Sequence, residues 1–397
     1  MNKAYKILFA SIVTLLIVTG VNFWYQTHKP VPIDSKKQTS GANSFEDYYN
    51  TAQSLKEEKS TTTDITFLAM GDIMLSRNVA GQMFKNGKDS YWPFRSLEDT
   101  LHSTDFNFAN LESPFSGSDD FPSTGSLVFN APTWTLPGLG QYNFKVLNLA
   151  NNHALDQGKD GLLYTKSALI REGLTPVGVG ANLKDAWQGQ VYSVKGVRVG
   201  FIGASYSSIN DGGQVKNDYV ARIEDTAKLK AAIADLRTRA DYVVVTMHAG
   251  VEYTRTPNSA QTTFARTAID YGADIVIGAH PHWIQTNEIY KGKPIYYSLG
   301  NFVFDQMFSQ DTKEGLMLKI TLTKAGACAT NASASPSGQQ QVTCGDSLQG
   351  APVSAKLKQI ELLPVIIENY GQPRLANDAE KKSIFKKIGV TTGVIAP

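Results

Sequence analysis

The chain has 397 residues, 42% of them hydrophobic, with 33 glycines, so it can bury a sizeable core in one large domain or two smaller ones. Its 38 Lys and Arg nearly balance 36 Asp and Glu, for a formal net charge of +2. That balance gives no electrostatic reason to expect nucleic acid or an extended anionic surface as partner, and nucleic acid is set aside.

Residues 7–27 carry no charge and include a continuous apolar run, long enough to span a hydrocarbon core that needs roughly 20 residues. Lys3 and Lys6 precede the run, Trp24 and Tyr25 sit where an interfacial aromatic belt would lie, and no small-residue cleavage pattern follows. The expectation is an uncleaved single-pass anchor over 1–27. A short N-terminal tail before a large domain points to an extracytoplasmic C-terminal domain at the cell membrane. Residues 28–63 are polar without sustained apolar period and read as a tether, with one short helix near 45–59.

From residue 64 onward, apolar runs of strand length alternate with segments of helical spacing, the pattern of an α/β sheet protein. Strands are expected over 65–70, 106–109, 144–150, 197–202, 242–247, 275–277 and 295–297, and helices over 161–172, 224–239 and 259–271. Strand character returns over 356–367, followed by a helix over 377–388. No internal repeat is visible, and 64–397 reads as one domain with an insertion at 326–350. Cys328 and Cys344 flank that Ser-, Ala-, Gly- and Gln-rich insertion. A bridge between them would suit an oxidising compartment, two unrelated thiols being the alternative, and neither has the Cys-x-x-Cys spacing of a structural zinc site.

Chemistry collects at strand ends. Five apolar runs lead directly into Gly71-Asp72, Asn110-Leu111-Glu112, Asn151-Asn152-His153, His248 and His280-Pro281-His282. In open α/β sheets the carboxyl ends of strands face a common crevice where ligands bind, so these segments are expected to converge. Four of the six histidines fall in them. Imidazole suits Zn, Fe and Mn while carboxylate and amide oxygens suit Mn and Mg, so the set fits one or two divalent ions of intermediate hardness. Singly, each residue has a plainer role: a hydrogen-bonded structural His, a turn Asn, a helix N-cap Asp.

Together with His248-Ala249-Gly250-Val251-Glu252-Tyr253 and Ser298-Leu299-Gly300-Asn301-Phe302-Val303-Phe304-Asp305, these motifs resemble the bacterial poly-γ-glutamate capsule biosynthesis proteins of CapA type, over residues 64–320. That family's domain is similar in fold to the calcineurin-like metallophosphoesterases. The resemblance implies two mixed β-sheets sandwiched between helices with a metal site at one edge. It also implies Asp72, Glu112, Asn152, His248, His280 and His282 as metal ligands and His153 as the acid that protonates a leaving oxygen. Glu252, four residues past His248, is a candidate general base or orienting group, with a solvated loop carboxylate as the alternative. Arg77 and Asn110 are candidate substrate contacts, with a surface helix residue as the alternative for Arg77, and Asn301 and Asp305 are expected to support the turn beneath the site.

Two departures from the phosphoesterase pattern stand out. Met74 occupies the position of a usual histidine ligand, and Glu112 that of a bridging aspartate. The implied functions are therefore three: a capsule-polymer component working with integral-membrane synthase partners on an anionic polymer; a metal-dependent phosphoesterase of the cell envelope; or a non-catalytic polymer-binding scaffold.

Overall fold

A computed structural model describes residues 62–206, 217–325 and 354–395, with the backbone of two short strands at 328–330 and 342–344. The expected anchor, tether and helix near 45–59 lie outside the described residues. Among the described residues no helix is long and apolar enough to cross a membrane.

The first sheet is built on β1 (Thr62–Ile73), β2 (Phe106–Leu111), β3 (Phe144–Asn148) and β4 (Thr175–Val177), paired in parallel in that order. The second centres on β6 (Val197–Ser205), β7 (Tyr242–His248) and β8 (Ile275–Ala279), also parallel, between β5 (Gln190–Val194) on one side and β10 (Lys293–Tyr296) with β9 (Asn287–Tyr290) on the other. β5 and β9 run antiparallel to their neighbours, which makes this sheet mixed. Short β11 (Asn301–Val303) runs parallel to the end of β1.

Alternation along the strands sets the layers, because successive side chains leave opposite faces of a sheet. Ile65, Phe67, Ala69, Phe106 and Phe108 pack against Val199, Phe201, Tyr242, Val244 and Ile277, forming the core between the sheets. On β7 the intervening Val243, Val245 and Met247 face the other way, onto Leu229, Ile233 and Leu236 of α6 (Thr226–Arg237) and Phe264 of α7 (Ser259–Asp270). On β1, Leu68, Met70 and Ile73 join a third core with α1 (Arg77–Lys85) and α4 (Gly158–Arg171); two short helices, α2 (Glu98–His102) and α3 (Leu136–Gln141), and the turn α5 (Leu183–Ala186) lie between these elements in sequence. The result is a helix, sheet, sheet, helix sandwich.

The sequence pattern omitted β12 (Glu314–Ala325), which pairs antiparallel with β1 on one side and β15 (Lys356–Glu368) on the other. Its Lys319, Thr321, Thr323 and Lys324 break the continuous apolar run that marks the other strands, while the alternating Leu316, Leu318, Ile320 and Leu322 are buried in the core between the sheets. This strand makes the first sheet mixed and prolongs β1 back to Thr62, inside the expected tether. β16 (Gln372–Leu375), α9 (Asp378–Lys387) and β17 (Val394–Ile395) complete the chain; α8 (Gln310–Lys313) precedes β12. In the insertion, β13 (Cys328–Thr330) and β14 (Val342–Cys344) form a ladder with Cys328 opposite Cys344, while the expected bridge concerns side chains outside the described residues.

Backbones approach closely where β1 meets β11. A Cβ on Gly71 would lie 1.8 Å from the carbonyl oxygen of Gly300, whereas one on Gly140 in α3 meets nothing within 4 Å. Gly71→Ala is therefore expected to destabilise the full chain by roughly 2–4 kcal/mol, and Gly140→Ala to leave stability unchanged or raise it by up to about 1 kcal/mol. Urea unfolding of both variants checks this; equal midpoints would contradict the close approach.

Candidate metal centre

Every expected ligand is delivered by the end of a parallel strand. Asp72 closes β1 opposite Asn301, its N–H donating to Gly300 O at 3.1 Å. Glu112 follows β2 and donates its N–H to Ile73 O at 2.8 Å. Asn152 and His153 lie in the turn after β3, His248 ends β7, and His280 and His282 follow β8. His280 and His282 are held at φ 100 and φ 57, conformations that non-glycine residues adopt only when the surroundings enforce them. The His280 N–H reaches across to Asp72 Oδ2 at 3.3 Å, tying the second sheet to the first.

The six residues form two donor sets sharing Glu112. One comprises Glu112, His248 and His280, the other Asp72, Glu112 and His282; within each, ligand atoms lie within 4.8 Å of one another, and all are buried. Asn152 Oδ1 joins the first set, 2.7 Å from His248 Nε2, which is also 3.1 Å from His280 Nδ1. His282 Nδ1 sits 2.9 Å from Asn301 Oδ1 and 3.5 Å from Asp72 Oδ2, so Asn301, expected to support the turn beneath the site, holds the His282 ring.

Electrostatics test whether a cation fits. Glu112 is fully buried, and neither carboxylate oxygen has a hydrogen-bond partner among the described residues. Burial first, then the adjacent Asp72 carboxylate and Glu252, push its carboxyl well above the usual range, with Arg77 opposing. Burial, followed by the neighbouring imidazoles, holds His248 and His280 well below their ordinary value, so both rings are neutral and keep lone pairs for a metal. Two orphaned carboxylate oxygens among neutral imidazoles and an amide oxygen are the environment a divalent cation would complete.

His153 stands at the edge of this cluster. Its ring stacks on Phe129 with centroids 3.8 Å apart, Nδ1 meets Asp156 Oδ2 at 2.8 Å, and Nε2 points toward Glu112 Oε1 at 3.9 Å. Asp156 also accepts the Phe129 N–H at 2.6 Å, so one carboxylate fixes both the ring and the loop stacked on it. Sequence reasoning gave Asp156 no role; its place three residues after His153 was the available signal.

The other expected residues have clear positions. Asn110 is buried beneath the cluster, with Nδ2 on Asp72 Oδ1 at 2.7 Å and His248 Nδ1 at 3.1 Å, and Oδ1 taken by Asn148 Nδ2 at 2.8 Å. It was expected to contact substrate; its amide is instead committed to internal partners, and it positions ligands. Arg77 is no surface helix residue. It is buried at φ 46, its guanidinium paired with Asp305, bonded to Ser126 O at 3.0 Å and lying over Phe129 at 4.7 Å. Asp305 also accepts the Asn78 N–H at 3.2 Å and so braces the loop after β1. Glu252 is half-buried near enough to raise Glu112. Met74 turns its sulfur onto the Ser76 N–H at 3.1 Å inside the core, leaving the Asp72 set with three donors.

Fold and site thus define a two-sheet α/β protein with a candidate divalent-metal centre at one edge of the sandwich. The chain belongs to the family described as bacterial capsule synthesis protein PGA_cap, whose pattern matches residues 66–306. It is 32% identical over 301 residues to the PGA biosynthesis protein CapA of Bacillus subtilis (strain 168), spanning 75% of this chain and 76% of the relative. It is also 32% identical over 272 residues to the capsule biosynthesis protein CapA of Bacillus anthracis, spanning 66% and 65% respectively. Among solved structures, the calcineurin-like phosphoesterase YfkN from Bacillus subtilis aligns over 83% of this chain and 96% of its own with a TM-score of 0.41 at 11% identity, too loose a likeness to bear on chemistry.

Because Glu112 has a raised pKa when folded, the folded state holds its proton more tightly than the unfolded one, and its contribution to stability falls as pH rises above the ordinary value near 4.5. In chelator-treated protein, Glu112→Gln is expected to raise the melting temperature over wild type by a margin that grows from about pH 5 to pH 8. Added Mn2+ should stabilise wild type and not the variant. A margin independent of pH, by scanning calorimetry, would contradict the buried charge.

Proposed function

We propose that this chain is a membrane-anchored, extracytoplasmic component of poly-γ-glutamate capsule production or export whose edge cleft holds one or two divalent ions. Family membership and 32% identity to the PGA biosynthesis protein CapA support the capsule role. The uncharged stretch at 7–27, flanked by Lys3 and Lys6, supports the anchor. Integral-membrane synthase components and the anionic polymer are the partners this reading implies.

The single observation behind the metal centre is the buried, unpartnered carboxylate of Glu112 shared by two donor sets. Glu112, Asn152, His248 and His280 would hold one ion, and Asp72, Glu112 and His282 another. A divalent ion bound there supplies Lewis acidity and a coordinated water of lowered pKa. The chain's own groups do the remaining work. His153 presents Nε2 to the cleft and can hold or deliver a proton there, with Asp156 fixing the ring through Nδ1. Asn110 and Asn301 orient the ligands, and the segments after β7 and β8 wall the cleft.

A second reading, a phosphoesterase acting on cell-envelope phosphoesters, is favoured by the His153–Asp156 pair beside the donor cluster and weakened by the core-facing Met74. Metal analysis decides the centre: wild type is expected to retain divalent metal, with Asp72→Ala and His280→Ala retaining at least about tenfold less. Metal kept by both variants would remove the centre. Loaded protein that leaves a generic phosphodiester intact, while His248→Ala abolishes polymer in cells, favours the capsule role; turnover of the diester favours the second reading.

Asp156→Asn gives an independent check on His153. Metal content should stay at the wild-type level while output, polymer or diester turnover, falls roughly tenfold or more with an altered pH profile. Unchanged output and profile would show the pair to be structural only.

A further inference from the structure

Aromatic rings gather beside His282 at the edge of the donor cluster. Tyr253 lies in the segment after β7 at φ 60, a left-handed conformation that a tyrosine adopts at a cost. Its N–H donates to Pro281 O at 2.9 Å, so the segment bearing His280 and His282 holds it in place. Its ring lies nearly parallel to that of His282 with centroids 6.0 Å apart. Phe308 stands edge-on to Tyr253 at 5.4 Å, and Trp283 lies 6.5 Å from it. The Tyr253 hydroxyl accepts from Gln306 Nε2 at 3.3 Å, and Gln306 Oε1 accepts from Asn301, the residue under His282. These contacts order the wall and couple it to a metal ligand.

Phe308 is nonetheless 68% exposed and Tyr253 36%. One exposed ring is ordinary; rings touching one another and a ligand histidine make an ordered apolar surface that is a candidate binding face. The nearby cations are committed elsewhere. Arg255 lies over Trp283 at 5.2 Å and pairs with Asp311 and Glu314, while Arg77 pairs with Asp305. A ligand meeting this wall is therefore read by flat and apolar faces more than by its charges.

We propose that Tyr253, Trp283 and Phe308 form a stacking wall that takes an extended chain of planar amide units separated by methylene groups and leads it past the donor cluster, with Phe308 as the specificity-determining contact. The proposal rests on the capsule-polymer reading and names how that site recognises its chain. Amide planes and intervening methylenes present alternating flat and apolar faces, which aromatic rings accept through stacking and CH contacts. The exposed carboxylates of such a chain would point away from the wall, into water.

Titration calorimetry of the metal-loaded full chain with a synthetic γ-linked glutamyl hexapeptide tests the wall. Wild type and Phe308→Tyr should bind it, while Phe308→Ala, altered at an exposed ring, should bind roughly three- to tenfold more weakly with metal content and melting temperature unchanged. Equal binding by wild type and Phe308→Ala overturns the proposal. So does a wild type that ignores the hexapeptide but binds AMP or phosphatidylglycerol vesicles. A wild type that holds metal and supports polymer in cells yet does not bind the hexapeptide overturns the wall alone, leaving the capsule role in place; loss of the metal centre shows first in metal analysis of wild type.

Discussion

Negative charge buried at the junction of two sheets is the constraint around which the rest is arranged. Glu112 and Asp72 are both fully buried, and the Glu112 oxygens have no partner among the described residues. Desolvating one carboxylate beside another is among the most unfavourable arrangements in a protein interior unless protons or cations enter. Around them stand imidazoles that burial keeps neutral and an amide oxygen, which offer lone pairs and no counter-charge. Arg77 offsets the cluster only in part, so a proton or a bound cation would balance the rest.

The sandwich makes such a cluster possible by geometry. Parallel strands present all their carboxyl ends at one edge, so β1, β2 and β3 from one sheet and β7 and β8 from the other deliver donors to the same place. Close backbone approach is also required within each sheet beside the cluster, and Gly71 and Gly278 permit it: a Cβ on Gly71 would fall 1.8 Å from the Gly300 oxygen and one on Gly278 2.0 Å from the Tyr297 oxygen. Asn110 stitches the seam with one amide that meets Asp72, His248 and Asn148. Its rigidity comes from the low exposure of every partner, since a buried amide left unpaired would cost about 1–3 kcal/mol.

Much of this is legible in the amino-acid sequence, and the reason is periodicity. Runs such as 242–247 are apolar at every position but Thr246 because β7 is covered on both faces, and they end in a buried ligand type, His248. Strand ends rich in ligand types could therefore be read as one site. What the pattern could not carry were contacts set by partners far away in sequence. β12 alternates polar and apolar residues instead of forming a continuous apolar run, and its place between β1 and β15 is set by those partners. Arg77 is buried because Asp305, Phe129 and Phe304 close over it, and Asn110 turns inward because Asp72 and His248 claim its amide. Neither fact has a local signature.

The two donor sets are unequal, and the inequality bears on what the centre can do. Glu112, Asn152, His248 and His280 provide four donors, whereas Met74 spends its sulfur on the Ser76 N–H and leaves Asp72, Glu112 and His282 as three. In-line displacement at phosphorus draws on two ions of similar grip to share charge on the attacking and leaving oxygens. A three-donor set whose shared carboxylate is a glutamate, one methylene longer than an aspartate, grips less firmly. Such a set would leave room for a ligand that brings its own oxygens. Phosphoester and carboxylate oxygens alike could fill that place, so the capsule role comes first on family membership, and the phosphoester second because the two sets are unequal.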